Sequence, residues 1–67
     1  MTYARHLVVD TYRAMYRGDM MTLDEVVTGI MQDGVRGRQT VTKRGVAQYL
    51  ARSCRVVRRG GRKLFEM

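Results

Sequence analysis

The sequence lacks most of the residues with which small proteins form cross-links or bind metals. Cys54 is the only cysteine and His6 the only histidine among 67 residues, and tryptophan and proline are absent. One cysteine cannot form an intrachain disulfide, and the two residues together fall short of a structural zinc site. A core of this size is near the lower limit for independent folding. The fold must therefore depend on apolar packing, which dimerisation would extend.

Long apolar runs and catalytic patterns are missing as well. No run approaches the roughly 18 residues of a membrane-spanning helix, and no segment has the layout of a signal peptide. A single cysteine in so small a chain favours a reducing compartment. There is no nucleophile–base pair, carboxylate pair, phosphate-binding loop or metal-ligand cluster. We therefore expect a cytoplasmic protein that is not an enzyme, binds no cofactor or metal, and has no membrane or small-molecule partner.

Positive charge is concentrated in the second half of the chain. Residues 1–33 carry three Arg against four Asp and one Glu, a net charge of −2. Residues 34–67 carry eight Arg and two Lys against one Glu, a net charge of +9. Basic residues keep small proteins soluble, but solubility does not require this asymmetry. It is typical of proteins that bind polyanions, and it favours a nucleic-acid ligand.

The first helix is predicted over about residues 2–17. Thr2 suits the N-cap, and Gly18 suits a left-handed C-terminal position. Apolar residues recur at spacings of three and four and make one helical face, which comprises Ala4, Leu7, Val8, Thr11/Tyr12, Met15 and Tyr16. Residues 20–21 are predicted to form an extended link. The residues expected in the core are Tyr3, Leu7, Ala14 and Met15.

A second helix is predicted over about 22–33. Thr22 and Glu25 have the spacing of a capping box, and Gly34 suits the end of the helix. Asp24 and Glu25 are adjacent and have no partner base, so they are interpreted as helix-start residues rather than as a catalytic pair. The predicted apolar face comprises Leu23, Val26, Val27, Ile30 and Met31.

The third helix is predicted over about 40–53, with either Thr40 or Thr42 as its N-cap. Gly45 costs roughly 1 kcal/mol relative to alanine inside a helix. This glycine either permits a close helix crossing or simply weakens the helix. One half of the helical wheel holds Val41, Gly45, Val46, Tyr49, Leu50 and Ser53. The other half holds Thr40, Lys43, Arg44, Ala47, Gln48 and Ala51.

Residues 54–67 are predicted to form a β-hairpin whose two-residue loop is 60–61. Both loop residues are glycines, which accept the positive φ angles of such turns. This loop places Val57 opposite Leu64, Val56 opposite Phe65 and Arg55 opposite Glu66, the last as a cross-strand ion pair. The face expected to pack on the helices comprises Cys54, Val56, Phe65 and Met67.

Three helices followed by a hairpin resemble a winged helix-turn-helix domain, here a single domain over residues 1–67. The resemblance lies in the order of elements, in the patterns of helices 2 and 3, and in "RVVRRGGRKLFE" at the position of a wing. In that family helix 3 enters the DNA major groove and the wing touches the backbone or minor groove. The resemblance therefore implies that "TVTKRGVAQYLAR" is the recognition helix and 58–63 the wing tip. The linker over about 33–39 is longer than the turn of the simplest members.

The predicted nucleic-acid contacts divide into base-reading and phosphate-binding residues. Arg44 and Gln48 are one helical turn apart, and these side chains pair with guanine and adenine respectively. Short Ala47 and Ala51 beside them permit close approach. The remaining candidates suit phosphates, as they are cations or lie at a helix start. The full set is Arg36, Arg38, Thr40, Lys43, Arg44, Gln48, Arg58, Arg59, Arg62 and Lys63.

Three function classes follow from this sequence. The first is a DNA-binding transcriptional regulator, for which a homodimer on two half-sites is plausible. The second is an RNA-binding or ribosome-associated accessory protein, although the four Tyr and one Phe offer few bases a stacking partner. The third is a phage or viral protein-interaction module on a winged-helix scaffold, directed at an acidic protein surface.

Overall fold

The structure is a computed structural model that describes residues 5–67, so the predicted cap Thr2 and core residue Tyr3 lie outside the described residues. Three helices are followed by an antiparallel hairpin, which confirms the predicted fold class and is compatible with a winged helix. The elements are α1 (Arg5–Met15), β1 (Met20–Met21), α2 (Leu23–Gln32), a 3-10 turn (Arg38–Thr40), α3 (Lys43–Ser53), β2 (Val56–Arg59) and β3 (Arg62–Glu66). No helix within residues 5–67 has the length and hydrophobicity needed to cross a bilayer.

Local capping explains where α2 and α3 begin. The Glu25 backbone N–H donates to the Thr22 hydroxyl oxygen at 3.2 Å, and the Thr22 N–H donates to the Glu25 carboxylate at 2.9 Å. This reciprocal pair is the predicted capping box. Thr42 accepts from the Gly45 N–H at 3.0 Å and caps α3. The predicted start at residue 40 is too early, because the chain first forms the 3-10 turn.

The apolar core combines all three helices with β3 and the linker before α3. Three predicted members are wrong, and two of them are large apolar residues: Leu7 is 51% and Met15 is 55% exposed. Ala14 is exposed as well. The buried residues of α1 are Val8, Val9 and Tyr12, so the buried face keeps two residues of the predicted face and is rotated towards Val9. This helix packs on both α2 and α3. The buried hydrophobic residues are Val8, Val9, Tyr12, Val26, Ile30, Val35, Val41, Val46, Leu50, Phe65 and Met67.

The close helix approach occurs at Gly29 in α2 rather than at Gly45. A Cβ atom on Gly29 would lie 2.6 Å from Cζ of Tyr12, so the tyrosine ring occupies the space that a side chain would need. A Cβ atom on Gly45 would instead lie 3.1 Å from the Thr42 hydroxyl oxygen and 3.5 Å from an Arg5 guanidinium nitrogen. Gly29 therefore allows α1 to pack closely on α2.

The sheet has three strands in the order β1-β3-β2. The predicted hairpin register is confirmed, with Val56 opposite Phe65 and Val57 opposite Leu64. Both loop glycines, 60 and 61, have positive φ angles, of 54° and 77°. Val56 is 38% exposed, unlike its buried partner, because β2 is an edge strand.

Two further features of the sheet differ from expectation. Met20 and Met21 are extended as predicted, but they also pair with Glu66 and Phe65 as the strand β1. Arg55 and Glu66 are joined through a 3.0 Å backbone hydrogen bond. The ion pairs recorded among residues 5–67 do not include these two side chains. The central strand of the sheet is β3, which pairs with β1 on one side and with β2 on the other.

Candidate nucleic-acid interface

The exposed face of α3 carries a stripe of long polar side chains. Arg44, Gln48 and Arg52 follow one another at intervals of four residues, and all three are exposed. The opposite face buries Val46 and Leu50, which fixes the direction of the stripe. Ala51 is exposed beside the stripe, whereas Ala47 is half-buried. The helix therefore presents donors and acceptors on one side with small residues next to them.

Different charges flank this stripe at the start of α3. Positions 43 and 45 lie on opposite sides of Arg44 on the helix surface. On the side of Gly45, the Arg5 side chain from α1 lies against the helix. On the other side, the Lys43 ammonium forms a 2.7 Å ion pair with Asp24 of α2. One flank is thus cationic and the other is internally neutralised.

The start of α2 lies between α3 and the hairpin. Hydrogen bonding of the Glu25 carboxylate to Thr22, first of all to its backbone N–H at 2.9 Å, holds the pKa of this carboxyl below its usual value, and the positive charge of Arg62 lowers it further. Arg62, on β3, is therefore within electrostatic reach of the α2 start. Asp24, in the same turn, forms an ion pair with Lys43, the first residue of α3. The start of α2 therefore interacts with α3 on one side and with the hairpin on the other.

The hairpin tip, defined as Arg58, Arg59, Arg62 and Lys63, places like charges opposite each other. Arg58 pairs with Lys63 and Arg59 with Arg62 across the strands, and all four residues are exposed. The Lys63 ammonium lies 5.4 Å from the centroid of the Phe65 ring. The ion pairs recorded within residues 5–67 are Arg13–Asp10 and Lys43–Asp24, so none neutralises the tip.

Three of the predicted phosphate contacts, Arg36, Arg38 and Thr40, occupy separate environments. Arg36 lines a shallow groove on α1 with Leu7 and Thr11, so it faces α1. An Arg38 guanidinium nitrogen lies 3.6 Å from the position that a Cβ atom would take on Gly34. The Thr40 hydroxyl donates to the Gly37 carbonyl at 2.8 Å, within the 3-10 turn. The linker therefore does not gather these side chains at one point.

The tyrosines of the described chain bridge structural elements. The Tyr49 hydroxyl donates to Asp10 at 2.7 Å, joining α3 to α1. The Tyr16 hydroxyl donates to Asp33, and this bond raises the pKa of Tyr16 to about 12. The Tyr12 hydroxyl contacts the Met21 sulfur at 3.9 Å, and burial raises the pKa of this phenol. These rings therefore contribute to packing and interhelical bonds.

Sequence reasoning missed three residues of this surface. Arg52 had a local signal, because it continues the spacing of Arg44 and Gln48. Arg5 had none, since its place beside Gly45 depends on how α1 packs against α3. Asp24 was interpreted only as a helix-start residue, and its contact with Lys43 joins positions that are distant in sequence.

The described residues 5–67 contain no group of three His, Cys, Asp or Glu side chains arranged to hold a metal ion. Comparisons of the chain with protein-family models, with curated proteins and with solved structures found no match. The function is therefore argued from the surface alone.

Proposed function

We propose that this protein binds duplex DNA as a winged-helix transcriptional regulator, with α3 in the major groove and the hairpin tip on the backbone or minor groove. The observation that carries the proposal is the hairpin tip. Its two cross-strand pairs, Arg58–Lys63 and Arg59–Arg62, bring like charges together, and none of these four side chains forms an ion pair within the described residues.

Like charges directly opposite each other destabilise a hairpin. A hairpin that only completed the sheet would need one or two solubilising charges, not four at its loop. Phosphate groups would relieve this repulsion. The protein cations would also displace counterions that are condensed on the nucleic acid, which favours binding. A polyanion therefore accounts for both the number and the position of these charges.

The stripe on α3 supplies groups suited to base edges. Arginine pairs bidentately with guanine O6 and N7, and glutamine pairs with adenine N6 and N7. Arg44 and Gln48 are exposed one turn apart, with Arg52 one turn further. The small Ala51 on the same face leaves room for close approach to a groove. Arg5, beside the start of α3, is assigned to a phosphate.

The burial and hydrogen bonds of the tyrosine side chains favour duplex DNA over RNA as the ligand. Single-stranded RNA is commonly read by stacking bases on exposed aromatic rings. Tyr12 is 1% exposed, and Tyr16 and Tyr49 donate hydrogen bonds between elements. These rings are not arranged as a stacking surface.

The proposed contacts also predict how binding depends on salt. With about five or six phosphates neutralised per protomer, log Kd should vary with log salt concentration with a slope of about 5 on duplex DNA.

The test is fluorescence anisotropy of labelled duplex DNA across a salt series, with structured RNA as competitor. The triple variant R58A/R59A/R62A should bind more weakly and reduce the salt slope by about three. Arg59→Ala and Arg17→Ala form a matched pair, because each removes one exposed arginine. Only the change at the hairpin tip should lower the slope by about one.

Three outcomes would contradict the proposal. If the triple variant binds duplex DNA as well as the parent, the hairpin tip is not a wing. If the parent binds neither duplex DNA nor RNA near physiological salt, an acidic protein surface becomes the ligand to examine. Preference for the RNA competitor would instead favour the accessory-protein class.

A further inference from the structure

We propose that Asp24 neutralises the charge of Lys43, so that the start of α2 and the adjacent side of α3 have no net attraction for DNA phosphates. This inference rests on the proposed DNA-binding function and corrects the role that the sequence suggested for Lys43. It divides the DNA contact into two parts, the α3 stripe with Arg5 and the hairpin tip, which are separated by a region without attraction for phosphate.

The ion pair is the first support. The Lys43 ammonium and the Asp24 carboxylate are 2.7 Å apart, and their side chains are 62% and 78% exposed. Both charges are therefore on the surface. A phosphate that approaches Lys43 also approaches Asp24, whose repulsion offsets the attraction at a similar distance. Because neither charge is buried, breaking this ion pair costs little folding stability. The ion pair therefore affects the affinity for DNA more than the stability of the fold.

Glu25 is the second support. A bare helix N-terminus attracts anions through its free N–H groups and dipole. At the start of α2 the Glu25 N–H is already bonded to the Thr22 hydroxyl, and the Glu25 carboxylate already accepts the Thr22 N–H. Asp24 adds a second carboxylate in the same turn. The helix end that would otherwise bind a phosphate is thus covered by the protein's own anions.

The capping box also keeps this arrangement in place. The Glu25 carboxylate is held by the 2.9 Å hydrogen bond from the Thr22 backbone N–H, so moving it away from the surface would break the capping box at the start of α2. Arg62 partly offsets its charge from the hairpin side. The neutral region therefore lies between two cationic ones, and it restricts how the protein can be placed on a duplex.

A double-mutant cycle tests the inference with labelled duplex DNA, using D24N, K43Q and D24N/K43Q. Asp24→Asn frees Lys43 for a phosphate and removes a repulsion, so affinity should rise about threefold to tenfold and the salt slope should increase by about one. Lys43→Gln leaves Asp24 unpaired and should weaken binding by a similar factor. The double variant, which has the parent's net charge, should match the parent within about twofold.

Asp19→Asn is the matched control, since it removes one exposed carboxylate outside the proposed contacts. Circular dichroism establishes that each variant is folded. If D24N/K43Q binds as weakly as K43Q, Lys43 contacts a phosphate in its own right and the inference fails. It also fails if D19N increases affinity as much as D24N, because the gain then reflects net charge alone. Failure of the proposed function is distinguished by the hairpin-tip triple variant, which in that case binds as well as the parent.

Discussion

At the scale of single residues, the tightest constraint is the contact between Gly29 and Tyr12. The Tyr12 ring is 1% exposed, and a Cβ atom on Gly29 would lie 2.6 Å from Cζ and 2.8 Å from Cε1 of that ring. A buried ring can move only with its neighbours. Gly29→Ala should therefore lower the free energy of unfolding by about 2 kcal/mol, even though alanine is about 1 kcal/mol better than glycine within a helix. Urea unfolding followed by circular dichroism measures the change.

Gly45→Ala is the control for this substitution. It adds the same methyl group to a helix, but the nearest atoms are the Thr42 hydroxyl oxygen at 3.1 Å and a flexible Arg5 side chain. Its effect should stay below about 1 kcal/mol. If both variants are equally stable, the close approach at Gly29 does not limit the packing of α1 on α2.

The residue scale also shows what local chemistry can predict. Thr22 and Glu25 form the predicted capping box because both partners lie within one turn. The core face of α1 was predicted only in part, because Leu7 and Met15 fit the helical period together with Val8, although they are exposed and Val9 is buried. Only the positions of α2 and α3 determine which set is buried.

At the scale of elements, the hairpin depends on the backbone of its loop. Gly61 has a φ of 77°, and no atom lies within 4 Å of the position that its Cβ would take. Gly61→Ala should therefore lower the free energy of unfolding through backbone strain alone, by about 1–2 kcal/mol. Denaturant unfolding of G61A and G61N tests this expectation. Because asparagine tolerates positive φ better than alanine, G61N should lose less stability than G61A. Equal stability of parent, G61A and G61N would contradict the assigned turn.

The sheet shows where prediction from sequence stops. The register of the hairpin was predicted correctly because a two-residue glycine loop fixes which residues are opposite. The strand β1 was not predicted, because two methionines show no alternation. Their partners Phe65 and Glu66 are far along the chain. Turn chemistry is local, whereas strand pairing of this kind is a property of the folded chain.

At the scale of the whole molecule, the candidate surface combines local and long-range features. The excess of positive charge in residues 34–67 was visible in the sequence, and so was the hairpin tip. The position of Arg5 beside Gly45 and the ion pair between Asp24 and Lys43 were not, because each joins two elements. The sequence therefore predicted which charges are abundant but not which of them neutralise each other.

The tyrosine bonds between elements make the stability of the whole fold sensitive to alkaline pH. Bonding to Asp33 raises the pKa of Tyr16 to about 12, and bonding to Asp10 raises the pKa of Tyr49. Both phenols titrate near 10 in an unfolded chain. The folded state therefore retains protons that the unfolded state releases, and stability falls as pH rises above about 10. The contribution is fully present below that pH and is lost as pH rises through the folded pKa values.

Urea unfolding midpoints measured between pH 8 and pH 11.5 test this expectation. The midpoint of the parent should be nearly constant up to about pH 9.5 and fall above it. In Y16F/Y49F the midpoint should start lower, because two interhelical hydrogen bonds are missing, but it should fall less steeply. Loss of lysine charge at high pH acts on both proteins and cancels in the comparison. Parallel curves for the two proteins would mean that these phenols do not hold the helices together through their protonated forms.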